Sequence, residues 1–222
     1  MSSSDASPKR RLLAQFAAVG RALGHEHRLD LLELLGQGER TVEVLAARSG
    51  LPFANTSQHL QHLRRAGLVE TRREGKRVVY RLKDEAVLGL MTALRQVAER
   101  NIAEVQQIVA TCFAARDRLE AVTRQDLLGR LRAGDVIVLD VRPEDEFAAG
   151  HVPGAMNVPL ASLSQAMASL PRDKEIVAYC RGPYCVLALD AVAALRGSGF
   201  HARRLEDGFP EWKAAGLHVE VA

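Results

Sequence analysis

Along the N-terminal third of the chain, apolar residues recur at steps of three and four, the spacing of one helix face. Leu12, Phe16, Val19 and Leu23 mark the first stripe. Leu29, Leu31, Leu32, Leu34 and Leu35 crowd a second run, His27 to Leu35, which Gly36 and Gly38 stop. Thr41 is placed to cap a third helix, Val42 to Ser49, and Gly50-Leu51-Pro52 makes the turn after it. A fourth helix runs from Asn55 to Ala66 and ends at Gly67. Leu68 to Leu82 then reads as a β-hairpin with Glu74-Gly75 at its tip. A short helix, a tight turn and a polar helix predict a helix-turn-helix over residues 1–82, with residues 1–10 as a polar tail.

Residues 84–120 hold no Pro and a single Gly, Gly89. Alternate steps of four and three from Val87 reach Met91, Leu94, Ala98, Asn101, Val105, Ile108, Cys112, Ala115 and Leu119, all apolar except Asn101. The pattern predicts one long helix filling residues 83–122. Its seam either packs on its own domain or pairs with the same helix of a second chain, where Asn101 fixes the register; Cys112 reads as a core residue of that seam. Beyond Thr123, an apolar run reaches Cys180 and a short loop leads into the helical pattern Val186–Val192. Cys180 is thereby placed at a strand end, over a loop of backbone N–H groups and the positive end of a helix. With Arg181 beside it, the thiol is expected to ionise below its ordinary value.

Composition is that of a folded globular protein, with 47% hydrophobic and 26% charged residues in 222. No apolar run approaches the length of a membrane span, and Met1 to Pro8 lacks the order of a signal peptide. Three cysteines, two of them in one loop, make no disulfide framework, so a reducing cytoplasm is the expected compartment. Charge is unevenly spread. Residues 1–82 hold 14 Lys/Arg against 8 Asp/Glu, residues 83–122 hold 5 against 6, and residues 123–222 hold 11 against 13. The basic excess lies in the first segment, which points there for a nucleic-acid contact.

The fourth helix carries Asn55, Thr56, Ser57, Gln58, His59, Gln61, His62, Arg64 and Arg65, with Leu60 and Leu63 left for the core. Short polar side chains and amides near a helix N-terminus suit base edges, and arginines suit phosphates; the alternative is a solvated face. Arg72, Arg73, Lys76 and Arg77 at the hairpin tip fit backbone phosphates beside the groove. Residues 20–82 resemble the ArsR family of winged helix-turn-helix repressors through Leu23-Gly24-His25-Glu26-His27-Arg28-Leu29, Ser57-Gln58-His59-Leu60 with Leu63, Ala66-Gly67-Leu68-Val69 and Arg73-Glu74-Gly75-Lys76-Arg77. That resemblance implies a homodimer on double-stranded operator DNA. Many members sense metals through a Cys-x-Cys pair in the helix before the recognition helix. Thr41 to Ala47 contains no cysteine, so no metal and no cofactor is expected.

The C-terminal segment, residues 123–222, carries Asp140-Val141-Arg142, then Gly150-His151-Val152-Pro153-Gly154-Ala155 with Pro159, then Tyr179-Cys180-Arg181 and Asp207-Gly208-Phe209-Pro210-Glu211-Trp212. Together these resemble the rhodanese domains. The resemblance implies an α/β fold with a parallel sheet and a Cys180 that accepts sulfane sulfur from a donor such as thiosulfate or a persulfide. It assigns the chemistry to Cys180 and Arg181, with Asp140 and Arg142 as a charged pair beneath the loop Gly182-Pro183-Tyr184-Cys185 and Glu146 joining them. Pro183 removes one loop N–H, and Val186 stands where many sulfurtransferases place Arg or a small polar residue. Cys185 is either a resolving thiol or a buried helix residue. The chain as a whole is expected to be an α+β winged helix-turn-helix, a long linker helix and a rhodanese-like α/β domain. The function expected is a dimeric, sulfur-responsive DNA-binding repressor in the cytoplasm. Alternatives are a sulfurtransferase enzyme that uses its DNA-binding domain for localisation or autoregulation, and, last, a metal-responsive repressor.

Overall fold

Ser7 accepts a hydrogen bond from the Arg10 amide, and Pro8 sits in the first turn, so helix α1 (Pro8–Leu23) begins within the stretch expected to be a tail. Helix α2 (Glu26–Gly36) follows. The Thr41 hydroxyl accepts from the Val44 amide and caps α3 (Val42–Ser49), which Gly50 closes in the left-handed conformation. Helix α4 (Phe53–Arg65) starts two residues earlier than its polar pattern indicates, because Pro52 supplies the extended N-cap backbone. Leu31, Leu32, Leu35, Leu45, Leu60 and Leu63 are buried together as the core of these helices. The hairpin is β2 (Val69–Glu74) and β3 (Arg77–Leu82). Glu74 pairs with Arg77, so the turn is Gly75-Lys76, one residue beyond the expected tip, and Gly75 takes the φ of +61° that such a loop needs at its first position. A two-residue strand, β1 (Arg40–Thr41), completes the sheet in the order β1-β3-β2; it is too short to show a period in the sequence.

The computed structural model describes residues 7–114 and 121–222. The chain divides into two compact units, Met1–Val87 and Leu88–Ala222. The single helix read over residues 84–120 is divided: α5 (Ala86–Asn101) stops at Ile102, whose backbone is extended, and α6 (Ala103–Ile108) passes into a π-helical turn, Val109–Ala114. Asn101 donates its side-chain amide to the Val97 carbonyl of its own helix, and Cys112 is exposed rather than in a core. Ala115 and Leu119 of the expected seam lie outside the described residues.

In the second unit Thr123 caps α7 (Arg124–Ala133), and the chain then alternates strand and helix. In order come β4 (Val136–Asp140), α8 (Glu144–Ala149), β5 (Met156–Asn157), a 3₁₀ turn (Leu160–Ser162), α9 (Leu163–Ala166), β6 (Glu175–Tyr179), α10 (Val186–Gly197), β7 (Ala202–Arg204) and α11 (Phe209–Ala214). The four strands are parallel in the order β5-β4-β6-β7, the arrangement expected of strands joined by helical crossovers. Side chains alternate faces. Leu139, Ile176 and Ala178 enter one core with Ala191 and Leu195 of α10, whereas Val138, Val177 and Tyr179 enter the other with Phe209 and Trp212. Because Asp140 is in register with Tyr179, the carboxyl ends of β4 and β6 lie side by side, and Cys180 follows on the α10 side.

Asp140 and Arg142 are both 0% exposed and joined at 2.5–3.1 Å, so removing one leaves the other as an uncompensated buried charge. Asp140→Ala is expected to destabilise the second unit by about 3–5 kcal/mol, and a paired apolar replacement of both residues by less. Urea unfolding followed by the fluorescence of Trp212, the chain's one tryptophan, measures this. A loss below about 1 kcal/mol would show that Arg142 does not depend on its carboxylate.

Candidate thiol site and nucleic-acid interface

Cys180 leaves the end of β6 with 2% of its surface exposed, and the loop from Arg181 returns at once to the start of α10. The Cys185 amide donates to the Gly182 carbonyl at 3.1 Å and closes the loop. The Cys180 thiol lies 3.5 Å from the Cys185 carbonyl oxygen and 3.9 Å from that of Gly182. Backbone N–H groups of Gly182 and Ala188 favour the Cys180 anion, those of Arg181 and Leu187 favour the Cys185 anion, and the two thiols act on each other's ionisation.

The expected low pKa of Cys180 is corrected by this geometry. Burial, followed by the hydrogen bond to Cys185, pushes the Cys180 thiol well up. The hydrogen bond from Cys180, the two N–H groups and the nearby Arg181 charge pull half-buried Cys185 down to about 6, against the cost of burial. Within the pair, Cys185 is therefore the more acidic thiol and Cys180 the less acidic one.

Arg181 binds Glu146 through two nitrogens, at 2.7–3.1 Å, and so neutralises a carboxylate that is completely buried. Glu146 thus binds Arg181, and its charge also acts on Arg142 of the buried pair. That pair is enclosed: Arg142 also donates to the Gly150 carbonyl, and Tyr179 donates to Asp140 while accepting from the Val152 amide. Burial and the Asp140 charge hold the Tyr179 hydroxyl protonated far above its ordinary range. His151 stacks on Phe147 and bonds its carbonyl, away from the thiols' hydrogen bonds.

Several residues around the loop make contacts that the sequence motifs do not give. A Cβ on Gly208 would collide with the Gly182 backbone, so only glycine lets this segment approach the loop. The Gly208 amide donates to Glu211, Glu211 binds Arg95 of α5 at 2.6 Å, and Arg95 is 3.3 Å from Glu99. Glu99 in turn accepts a hydrogen bond from the Tyr184 hydroxyl, and Phe113 packs on the Tyr184 ring. Arg95 and Glu99 are four apart on one face of α5, a spacing legible in the sequence as an ion pair but silent about its partners. Among the described residues no group of three or more His, Cys, Asp and Glu is arranged to hold a metal ion.

In the first unit, Asn55, Gln58, Gln61, His62 and Arg64 of α4 are exposed, and Ser57 and His59 are half-buried. Thr56 leaves the base-reading set: it is 0% exposed and its hydroxyl donates to the Pro52 carbonyl. His59 packs against His25 and His27, with ring centroids 4.6 and 5.7 Å away. Burial, then the charges of His25, Arg28, His27 and His62, lowers its pKa. Arg72, Arg73, Lys76 and Arg77 are exposed at the hairpin tip, where Arg72 is shared with Glu39 and Glu74.

The thiol pair generates a pH prediction. Thiolate is the reactive form, so alkylation of the reduced protein is expected to label Cys185 first, with a rate that is near its plateau at neutral pH and falls as pH drops through about 6. Peptide mass spectrometry of the iodoacetamide adducts checks this. Preferential labelling of Cys180, or a midpoint in the ordinary thiol range, would reverse the assignment of the proton.

The sequence matches the rhodanese-like domain family over residues 123–215 and a helix-turn-helix domain family over residues 23–72. Among curated proteins it is 46% identical over 212 residues to the HTH-type transcriptional regulator Rv0324 of Mycobacterium tuberculosis, covering 96% of this chain and 93% of that protein. It is also 30% identical over 86 residues to a sulfurtransferase of Allochromatium vinosum, covering 38% of this chain and 78% of that protein. Among solved structures it is similar to the homodimeric winged helix-turn-helix DNA-binding domain of Mb0332 from Mycobacterium bovis. That domain is 41% identical with a TM-score of 0.42, and the match covers 46% of this chain and 95% of that one. With similarity running through both units at once, the chain belongs to the HTH-type transcriptional regulators that join an ArsR-like, DNA-binding winged helix-turn-helix to a C-terminal rhodanese-like domain.

Proposed function

We propose that this transcriptional regulator is a sulfur-responsive repressor, acting in the cytoplasm as a homodimer on operator DNA, and that Cys180 is where it takes up sulfane sulfur. The observation that carries this reading is the Cys180 loop itself: a thiol at the carboxyl end of a parallel strand, in a loop that turns straight into the N-terminus of α10, in the same chain as a DNA reader. Cys180 passes its proton to the Cys185 sulfur that accepts its hydrogen bond, then attacks the outer sulfur of a thiosulfate or persulfide. The donor leaves as sulfite or thiol, and the N–H groups stabilise the persulfide anion. Arg181, held by Glu146, adds positive charge at the loop, while Asp140 and Arg142 position its base from below. The near-complete burial of Cys180 and the N–H missing at Pro183 favour a slow, retained modification over rapid enzymatic turnover.

The exposed face of α4 supplies base contacts and the hairpin tip supplies phosphate contacts. Leu90, Leu94 and Val97 are exposed on α5 at steps of four and three, an apolar stripe suited to a second copy of the chain. Changing Leu94 and Val97 to Glu should therefore give a monomer in sedimentation. Replacing Arg73, Lys76 and Arg77 by Ala should weaken binding to all DNA sequences and flatten its salt dependence by about one unit of slope for each phosphate no longer neutralised.

The central test is to load the purified protein with glutathione persulfide, locate the added sulfur by mass spectrometry, and measure affinity for its own promoter DNA before and after. A coupling of about 1–3 kcal/mol changes that affinity about 5- to 150-fold. Cys180→Ser should keep the unloaded affinity and lose the change. A Cys180→Ser protein that responds like the wild type overturns the reading and moves attention to Cys112.

A further inference from the structure

In sulfur uptake by Cys180, Cys185 serves only as a resting place for a proton, yet its setting equips it for more. The Cys180 sulfur lies 3.5 Å from the carbonyl oxygen of Cys185 itself, and the hydrogen bond from the Cys185 amide to Gly182 curls the loop so that the two residues stay together. It is half-buried where Cys180 is almost closed off, so it is the more accessible of the two sulfurs. It is the N-cap residue of α10, at the positive end of that helix, which favours the anion, the form that attacks a sulfur–sulfur bond. Neither feature is needed by a helix residue kept for packing.

We propose that Cys185 is the resolving thiol of this site: it attacks the Cys180 sulfur of a persulfide, expels hydrosulfide and closes a Cys180–Cys185 disulfide. The proposal rests on the reading that Cys180 accepts sulfane sulfur and extends it to the fate of that sulfur. Atoms and electrons balance over two steps. In the first, the Cys180 thiolate takes the outer sulfur of RSSH, the donor's sulfur–sulfur bond breaks and RSH leaves with the proton. In the second, Cys185 gives the proton it took from Cys180 to the outer sulfur and its thiolate forms a bond to the Cys180 sulfur; the bond between the Cys180 sulfur and the outer sulfur breaks, and that sulfur departs as HS⁻, which takes a proton from water. The sum is one persulfide and two thiols giving one thiol, one H₂S and one disulfide. The dithiol is oxidised by two electrons and the sulfane sulfur is reduced by two. The class of ligand is accordingly a low-molecular-weight persulfide acting as an oxidant, and the lasting mark of exposure is a disulfide rather than a persulfide.

Full-length reduced protein, its Cys185→Ser and Cys185→Ala variants and a Cys112→Ser control are treated with one equivalent of glutathione persulfide. Released hydrosulfide is measured, and peptides are mapped by mass spectrometry. Wild type and Cys112→Ser are expected to release hydrosulfide and to yield linked Cys180 and Cys185 peptides two hydrogens lighter. The Cys185 variants are expected to keep the added sulfur on Cys180 and to lose hydrosulfide release. A stable Cys180 persulfide in the wild type overturns the resolving role alone, as does equal hydrosulfide release from the Cys185 variants. Absence of sulfur from Cys180 and of any disulfide in the wild type overturns both this proposal and the function it rests on. Should the Cys185 variants fail to fold, as read by Trp212 fluorescence, the wild-type product decides: disulfide supports the proposal and persistent persulfide rejects it.

Discussion

The buried ion pair between Asp140 and Arg142 is the constraint on which the rhodanese-like unit depends. Two charges fully removed from water are tolerable only with every lone pair and N–H engaged, and the chain around them is arranged to do so. Asp140 takes the Arg142 backbone amide, its guanidinium and the Tyr179 hydroxyl, Arg142 reaches back to Gly150, and Asn157 ties the carbonyls of both residues. These bonds join the ends of β4, β5 and β6 and the turn after α8. Gly150 is part of the same arrangement. At φ +155° and with Phe209 only 2.9 Å from where a Cβ would stand, it lets the chain pass under the aromatic cover of Arg142. The residue after Tyr179 is Cys180, so the pair fixes the base from which the thiol loop departs.

Above that base, the loop distributes charge according to exposure. Cys180 enters the apolar layer of α10 because strand alternation sends it there, and burial keeps it protonated. Cys185, five residues on and less enclosed, takes the negative charge in the same shared hydrogen bond. The Glu146–Arg181 pair and the close approach of Gly208 to Gly182 hold the loop between them, so its shape is set from both sides.

Helix α5 has two distinct faces. Leu90, Leu94 and Val97 are left exposed, while Arg95 and Glu99 engage Glu211 and Tyr184 of the thiol loop's surroundings. A hydrophobic stripe and a charged pair on the same helix thus serve separate ends, one outward and one into the rhodanese-like unit.

Local physics made much of this protein legible from its residues alone. Helical spacing, the Thr41 cap, the Gly67 stop and the basic hairpin outlined the helix-turn-helix and its hairpin, and an apolar run outlined a strand ending at Cys180, while the parallel-sheet unit around it came from the resemblance to rhodanese domains. These features are written in periods and turn residues within a few positions of one another, and so they survive without knowledge of the fold. What needed tertiary structure was every property set by neighbours distant in sequence. Thr56 is polar by type but buried by the packing of α4, and the helix expected over residues 84–120 is interrupted at Ile102. The partner of Glu146, the reach of Arg95 and Glu99 to the loop, and the proton's place on Cys180 rather than Cys185 are decided by burial and by contacts across long sequence separations. Residue type states what a group is able to do; the dielectric around it and the partner opposite it, both products of the fold, determine which of those things it does.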